Sequence, residues 1–155
     1  MIRQAKVKDA DIVHAVLLSA RDDIPLAANF ADDAHKKWVR DECRRRNGWV
    51  FELDGAVAGV TIMAVDEIFY LVTAPGYRKR GIARALVEDA KARVWKKYRV
   101  PARGRARQAN RPVVQLLEKL GFIEDHDRVI ATLGWMHYRA TVQTSCRPCE
   151  NSWKS

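Results

Sequence analysis

Cysteine and long apolar runs are both scarce in this sequence. The 155 residues include three cysteines, at positions 43, 146 and 149, which are too few and too unevenly spaced for the disulfide framework of a secreted domain. No stretch approaches the roughly 18 apolar residues of a membrane-spanning helix, and no apolar segment follows the N-terminal Met1–Lys6. We therefore expect a cytoplasmic protein in a reducing compartment, without a membrane partner.

The sequence also lacks the patterns of nucleic-acid-binding domains. It has no helix-turn-helix pattern, zinc-finger spacing or aromatic stacking platform. Lysine and arginine nevertheless outnumber aspartate and glutamate by 28 to 19, which gives a formal net charge of +9. Such a surface attracts polyanions, phosphorylated cofactors or acidic proteins. The charge leaves a nucleic-acid partner open as an alternative without selecting it.

The periodicity of apolar residues predicts one domain with alternating strands and helices. The chain is long enough to bury its own core and shows no internal repeat. Its elements follow the order β-α-α-β-β-β-α-β-α-β-β, which predicts an α/β (α+β) fold with a mixed, mostly antiparallel sheet flanked by helices. We expect the domain to span residues 1–140 and a polar tail to occupy residues 141–155.

Turn and capping residues set the predicted boundaries. Asp54-Gly55 is a strong hairpin signal between two β-rich runs, and Gly48 is the expected stop of the second helix. The run 68–73 is apolar on both faces, which is typical of a central, doubly covered strand. The predicted strands are 2–5, 49–53, 56–64, 68–73 and 100–107, with two more within 122–138. The predicted helices are 9–20, 32–45, 81–98 and 110–120.

The tail contains one CxxC pair, Cys146 and Cys149. A zinc ion would need two further ligands, from Cys43, His126 or a partner chain. The alternative is an untethered polar tail. We predict no metal site.

A basic turn lies between the central strand and the longest helix. Its glycine, Gly81, lets backbone approach a ligand, and the N–H groups at the start of the helix can bind phosphate oxygens. Arg78, Lys79 and Arg80 add positive charge at the same place. The pattern predicts an anion cradle, and a solvated loop is the alternative.

Two motifs in this order resemble those of the GNAT superfamily of acyl-CoA-dependent N-acetyltransferases. Arg78-x-x-Gly81-x-Ala83 resembles its R/Q-x-x-G-x-G/A pyrophosphate motif, and Asn110-Arg111-Pro112 with the segment 117–122 resembles its second signature. The similarity covers roughly residues 1–138. It implies an acyltransferase that moves an acetyl group from acetyl-CoA to a primary amine by direct attack, as a monomer or homodimer.

The resemblance also implies which residues hold the cofactor. Backbone amides of the basic turn would bind the pyrophosphate, a strand edge would pair with the pantetheine arm, and Asn110 would contact its end. An N-cap role for Asn110 is the alternative. The implied cofactor residues are Leu71, Val72, Thr73, Arg78, Lys79, Arg80, Gly81, Ile82, Ala83 and Asn110.

The chain departs from the family at the general acid. Leu117 replaces the tyrosine thought to protonate the departing thiolate, and none of Tyr70, Tyr77 and Tyr138 matches the motif. A thiolate with a pKa near 8.5 can leave without help. For the base, Glu67 lies fourteen residues before Gly81, a spacing similar to that of the glutamate in histone-type members. A polar strand entry is the alternative reading of Glu67.

Three arginines alternate with small residues near the second motif. Arg103, Arg105 and Arg107 share one face of an extended segment, and three arginines are not buried without partners. They face either water or an anionic acceptor. Two competing functions remain: a catalytically silent CoA-binding module and a basic nucleic-acid-associated protein.

Overall fold

The computed structural model describes residues 1–21, 32–125 and 135–141. His126, Cys146, Cys149 and all of the predicted tail except Thr141 lie outside these residues. The helices are α1 (Ala10–Ser19), α2 (Asp33–Arg44), α3 (Ile82–Tyr98) and α4 (Arg111–Lys119). The strands are β1 (Ile2–Gln4), β2 (Gly48–Leu53), β3 (Ala56–Ala64), β4 (Glu67–Thr73), β5 (Arg103–Arg107), β6 (Phe122–Glu124) and β7 (Trp135–Ala140). This is the predicted element order.

The strands form one mixed sheet in the order β1-β2-β3-β4-β5-β7-β6. The pairs β1–β2, β2–β3, β5–β7 and β6–β7 are antiparallel, whereas β4 and β5 run parallel. The prediction of a mostly antiparallel sheet with β4 at its centre is confirmed. None of the described helices is long and apolar enough to cross a membrane.

The chain divides into two compact units. The first contains Met1–Ala64 and Tyr70–Leu86, and the second contains Val65–Phe69 and the described residues from Val87 onward. The strand β4 and the helix α3 each contribute residues to both units.

In the first unit, α1 follows the predicted apolar spacing. Val13, Val16 and Leu17 are buried in a core cluster with residues of α2, β2 and β3. Ile12 is an exception, since its side chain is 45% exposed. It lies at the edge of the apolar stripe rather than within it.

The predicted stop of the second helix is wrong. The helix α2 ends at Arg44, and Arg46 takes the left-handed conformation, with φ 66°. Gly48 instead begins β2, where a Cβ would lie 3.3 Å from the Cβ of Ala5. Close strand packing, and not a helix cap, explains this glycine.

Two other turn predictions are confirmed. Asp54 and Gly55 have φ values of 52° and 77° and join β2 to β3, as expected for a type I′ hairpin. Asp9 is the N-cap residue of α1. Its carboxylate accepts hydrogen bonds from Lys6 N at 2.7 Å and from the Arg3 guanidinium at 2.8 Å, so it fixes the turn before the helix.

A glycine on β3 sets how closely α3 approaches the sheet in the first unit. A Cβ on Gly59 would lie 2.6 Å from Ile82 Cγ2 and 3.0 Å from Leu86 Cδ1. These two side chains are almost fully buried. The first turn of α3 therefore keeps its place only with glycine at this position.

We expect Gly59→Ala to lower the free energy of unfolding by about 1 to 3 kcal/mol, since the added methyl group overpacks a filled site. Gly104→Ala is the matched control on β5, where a Cβ would meet only Ile68 Cβ, at 4.0 Å. It should leave stability unchanged or raise it by up to about 1 kcal/mol, because alanine loses less backbone entropy than glycine in a strand. Urea denaturation of both variants measures the difference, and equal losses would contradict the close-approach argument.

In the second unit, a buried lysine ties α3 to the end of α4. The Lys91 side chain is 1% exposed, and its ammonium donates to the Leu120 carbonyl oxygen at 2.9 Å. It also lies 3.3 Å from a Glu88 carboxylate oxygen and 5.9 Å from the centroid of the Phe122 ring. Lys91 thus satisfies a carbonyl at the C-terminus of α4.

Candidate active site

The basic turn of the first unit leads directly into α3. Ala85 N donates to the Gly81 carbonyl oxygen at 3.0 Å, so Gly81 provides the first hydrogen-bond acceptor of the helix. The N–H groups of a first helical turn have no acceptor within their own helix. Together with the helix dipole they favour an anion at this end.

The backbone of this turn passes repeatedly through the left-handed region. The φ values are 82° for Gly76, 62° for Lys79 and 77° for Gly81. Left-handed residues interspersed with ordinary ones turn successive N–H groups toward one concave side, which is a known anion-binding arrangement. The sequence predicted a glycine turn through which backbone can approach a ligand, and it gave no indication of positive φ at Lys79, because lysine carries no signal for that conformation.

Charge and space at the turn match the backbone geometry. Arg78, Lys79 and Arg80 are exposed, and the Arg80 guanidinium carbon lies 5.6 Å from the centroid of the Tyr77 ring. A Cβ on Gly81 would have no described atom within 4 Å. Cationic side chains and an open glycine backbone fit a pyrophosphate.

The three predicted pantetheine residues lie on the second half of β4. The strand β4 pairs with β5 at Glu67 and Ile68, and Leu71, Val72 and Thr73 lie beyond these two residues. Leu71 packs with Ile82 and Leu86, whereas Val72 belongs to the core cluster of α1 and α2. The side chains of Leu71 and Val72 contribute to the core, so a ligand at these two residues would contact their backbone groups.

Asn110 is the N-cap residue of α4, in the second unit. Its carbonyl oxygen accepts from Val114 N at 3.1 Å, while its side chain accepts no hydrogen bond from the described helix. The N-cap position is confirmed, but the usual side-chain cap is not made. The amide therefore has no capping role that would compete with ligand binding.

The remaining predicted site residues face one another in the second unit. Arg103 pairs with Asp66, with nitrogen and oxygen 2.6 Å apart. Arg105 Nε lies 3.3 Å from Glu67 Oε1. Ala102, Gly104 and Ala106 are buried and the arginines are half-buried, so the predicted alternation is confirmed. Arg103 and Arg105 thus each contact a carboxylate of their own chain.

Tyr138 and Cys43 are poorly suited to proton transfer at neutral pH. Leu117 is buried in α4. Burial, with a smaller effect of Glu118 and Glu124, raises the pKa of Tyr138, which weakens it as an acid. Burial also raises the pKa of the Cys43 thiol to about 11, so this cysteine stays protonated at neutral pH.

An aromatic cluster on α1, α2 and β4 was not anticipated. The His35 ring centroid lies 5.4 Å from that of His14, 5.5 Å from that of Trp38 and 6.3 Å from that of Tyr70. Burial, and secondarily the His14 charge, lowers the pKa of His35, which favours the neutral imidazole. Contacts between separate elements give no local sequence signal. Within the described residues, no group of three or more potential metal ligands occurs.

Comparison with protein families gives one match. A family model described as an acetyltransferase (GNAT) domain matches residues 33–124 of the 155-residue chain. The match includes β4, the basic turn, α3, β5 and α4. No curated protein sequence matches the chain.

Solved structures share the fold at low sequence identity. A GNAT-family acetyltransferase from Bacillus cereus ATCC 10987 has a TM-score of 0.73 and 11% identity, with 91% of this chain and 96% of that chain covered. An N-acetyltransferase from Staphylococcus aureus Mu50 has a TM-score of 0.70 and 20% identity, with 90% and 100% covered. The PaiA N-acetyltransferase from Thermoplasma acidophilum, in complex with coenzyme A, has a TM-score of 0.68 and 17% identity, with 91% and 98% covered.

Proposed function

Because the chain belongs to the GNAT acetyltransferase family, we propose that this acyltransferase moves the acetyl group of acetyl-CoA to a primary amine by direct attack. The observation that carries the proposal is the basic turn before α3. Its left-handed backbone at Lys79 and Gly81, its three cationic side chains and the open helix N-terminus together suit a pyrophosphate.

Different residues bind the pyrophosphate and the pantetheine arm of CoA. In this proposal the amides from Arg78 to Ala83 hold the pyrophosphate, and the backbone of Leu71, Val72 and Thr73 pairs with the pantetheine arm. The Asn110 amide contacts the end of that arm. The PaiA structure with coenzyme A supports the choice of cofactor for the fold.

The proposed chemistry is a single acyl transfer. Acetyl-CoA supplies an activated thioester carbonyl. A neutral amine nitrogen forms a bond to the carbonyl carbon, the carbon–sulfur bond breaks, and sulfur leaves with its electron pair. The Glu67 carboxylate accepts the proton released by the amine, directly or through water. The thiolate takes its proton from solvent, because Leu117 stands where the family has the tyrosine, and a leucine side chain cannot donate a proton.

We propose an anionic acceptor, supported by the net charge of +9. Arg103 and Arg105 can contact an acceptor only in competition with Asp66 and Glu67. The buried thiol of Cys43 is compatible with a reducing compartment, and we propose a cytoplasmic location and a monomer or homodimer. Cell fractionation and sedimentation test these two points.

An amine panel tests the function. Purified protein is incubated with labelled acetyl-CoA and spermidine, Nα-acetyl-lysine amide, or peptides with a free N-terminus and either acidic or neutral residues. Mass spectrometry should find one added acetyl group on at least one amine, and the acidic peptide should show the lower KM at low salt. CoA binding with no transfer, in this panel or in a cell lysate, would indicate a silent binding module, a reading that Leu117 favours.

A further inference from the structure

The candidate base has a charged neighbour on the adjacent strand. The parallel register places Glu67 beside Arg103 and Ile68 beside Gly104. Alternate residues of a strand share a face. Glu67 and Phe69 of β4 therefore lie on the same face as Arg103 and Arg105 of β5, and all four belong to the second unit.

Arg105 contacts both of these β4 side chains. Its Nε atom lies 3.3 Å from Glu67 Oε1, and its guanidinium carbon lies 4.8 Å from the centroid of the Phe69 ring. The side chains of Arg105 and Glu67 are 29% and 18% exposed, so the pair is partly shielded from solvent. An aromatic ring beside the guanidinium restricts its position through cation–π attraction.

The second arginine on this face does not share the Glu67 carboxylate. Arg103 donates to Asp66 Oδ1 at 2.6 Å, and its backbone N–H donates to the Asp66 carbonyl oxygen at 2.8 Å. Each arginine thus has a carboxylate of its own. Of these two arginines, Arg105 is the one that pairs with Glu67.

We propose that Arg105 is a positioning residue for Glu67 and does not bind the acceptor. Beside the Phe69 ring, its guanidinium attracts Glu67 Oε1 across 3.3 Å and thereby restrains the carboxylate that accepts the amine proton. The inference rests on the proposed role of Glu67. It assigns to Arg105 a role in turnover, whereas the sequence alone suggested recruitment of an anionic acceptor.

The two roles predict different kinetics. Arg105→Met removes the charge and keeps an apolar stem against Phe69. If Arg105 positions Glu67, kcat should fall by about tenfold or more while the acceptor KM stays within about twofold. If Arg105 binds the acceptor, KM should rise and kcat should hold. Arg105→Lys keeps the positive charge but lacks the planar guanidinium, so its kcat should lie between those of Arg105→Met and the wild type.

The decisive experiment combines Arg105→Met with Glu67→Gln. Steady-state rates are measured with acetyl-CoA and whichever amine of the stated panel turns over fastest. Because Arg105 acts through Glu67, the double variant should have the kcat of Glu67→Gln alone. Arg93→Met is the matched control, since it breaks another partly exposed arginine pair of this unit, with Asp89 at 2.6 Å, and it should keep wild-type kcat. Thermal unfolding shows that each variant is folded.

The outcomes separate this inference from the proposed function. In one outcome, Glu67→Gln slows turnover and the double variant loses kcat by the product of the two single factors; in another, Arg105→Met changes only the acceptor KM. In either case Arg105 is not a positioning residue and Glu67 remains the base. If Glu67→Gln turns over normally, the proposed base and this inference both fail. If Arg93→Met lowers kcat as much as Arg105→Met does, the effect is a general loss of charge and the inference is overturned.

Discussion

Replacement of Gly81 by glutamate is expected to abolish the binding of CoA to this protein. The residue has φ 77° and precedes the first residue of α3, where the proposed pyrophosphate lies against backbone N–H groups. A carboxylate there adds bulk and a negative charge close to two phosphate charges, a repulsion of several kcal/mol at the dielectric of a protein surface. We expect Kd to rise by about a hundredfold or more, as measured by isothermal titration calorimetry with CoA.

The chain offers a matched control for backbone strain. Gly55 also has φ 77°, and like Gly81 it has no described atom within 4 Å of a Cβ position. Gly55→Ala is the control variant, because it carries the left-handed backbone cost of a Cβ without adding a charge near Ala74, Pro75 and Tyr77, which line the same cleft as Gly55. It should bind CoA with wild-type affinity. Unchanged affinity in a folded Gly81→Glu variant would remove the basic turn from the cofactor site.

Glu67→Gln is expected to lower kcat by about 10² to 10⁴ while the affinity for CoA stays unchanged. Glutamine keeps the shape of the side chain and cannot accept a proton. Because an aliphatic amine has a pKa near 10, its neutral fraction grows as the pH rises, and high pH should therefore partly restore the rate. Steady-state kinetics from neutral to alkaline pH, with calorimetry for CoA, measure both effects.

Asp66→Asn is the control for this experiment. Asp66 is the neighbouring carboxylate and pairs with Arg103 at 2.6 Å, so its loss also breaks an ion pair between the turn before β4 and the strand β5. It should lower stability modestly and leave kcat within about threefold. Near-normal turnover in Glu67→Gln would assign proton transfer to another group. It would not change the conclusion that the chain belongs to the GNAT acetyltransferase family.

The arginine-rich strand shows how tertiary contacts change the reading of a sequence pattern. Three alternating arginines in a chain of net charge +9 suggested a surface for an anion. In the fold, the parallel register with β4 brings Asp66 and Glu67 to two of them. The pairing partners are more than thirty residues apart in sequence, and no local pattern specifies which strand lies beside which.

Much of the fold was determined by local physical chemistry. Apolar periodicity predicted α1 and α3, Asp54-Gly55 predicted the hairpin, and the glycine-containing basic turn predicted the helix N-terminus at Gly81, because each depends on residues close together in the chain. The same kind of reasoning gives a wrong prediction for Gly48, namely that it ends the second helix. A glycine after a helix is commonly a cap, and here the close approach of Ala5 decided its role.

By itself, the sequence determined the order of elements, the mostly antiparallel sheet and the two motifs on which the family resemblance depends. Only the tertiary structure decided that Glu67 lies against Arg105, that Asn110 leaves its helix uncapped, that Lys79 is left-handed and that His35 joins a cluster of aromatic rings. The reason is physical: periodicity and capping act over a few residues, whereas charge pairing, ring contacts and burial depend on strand register and helix packing between distant segments.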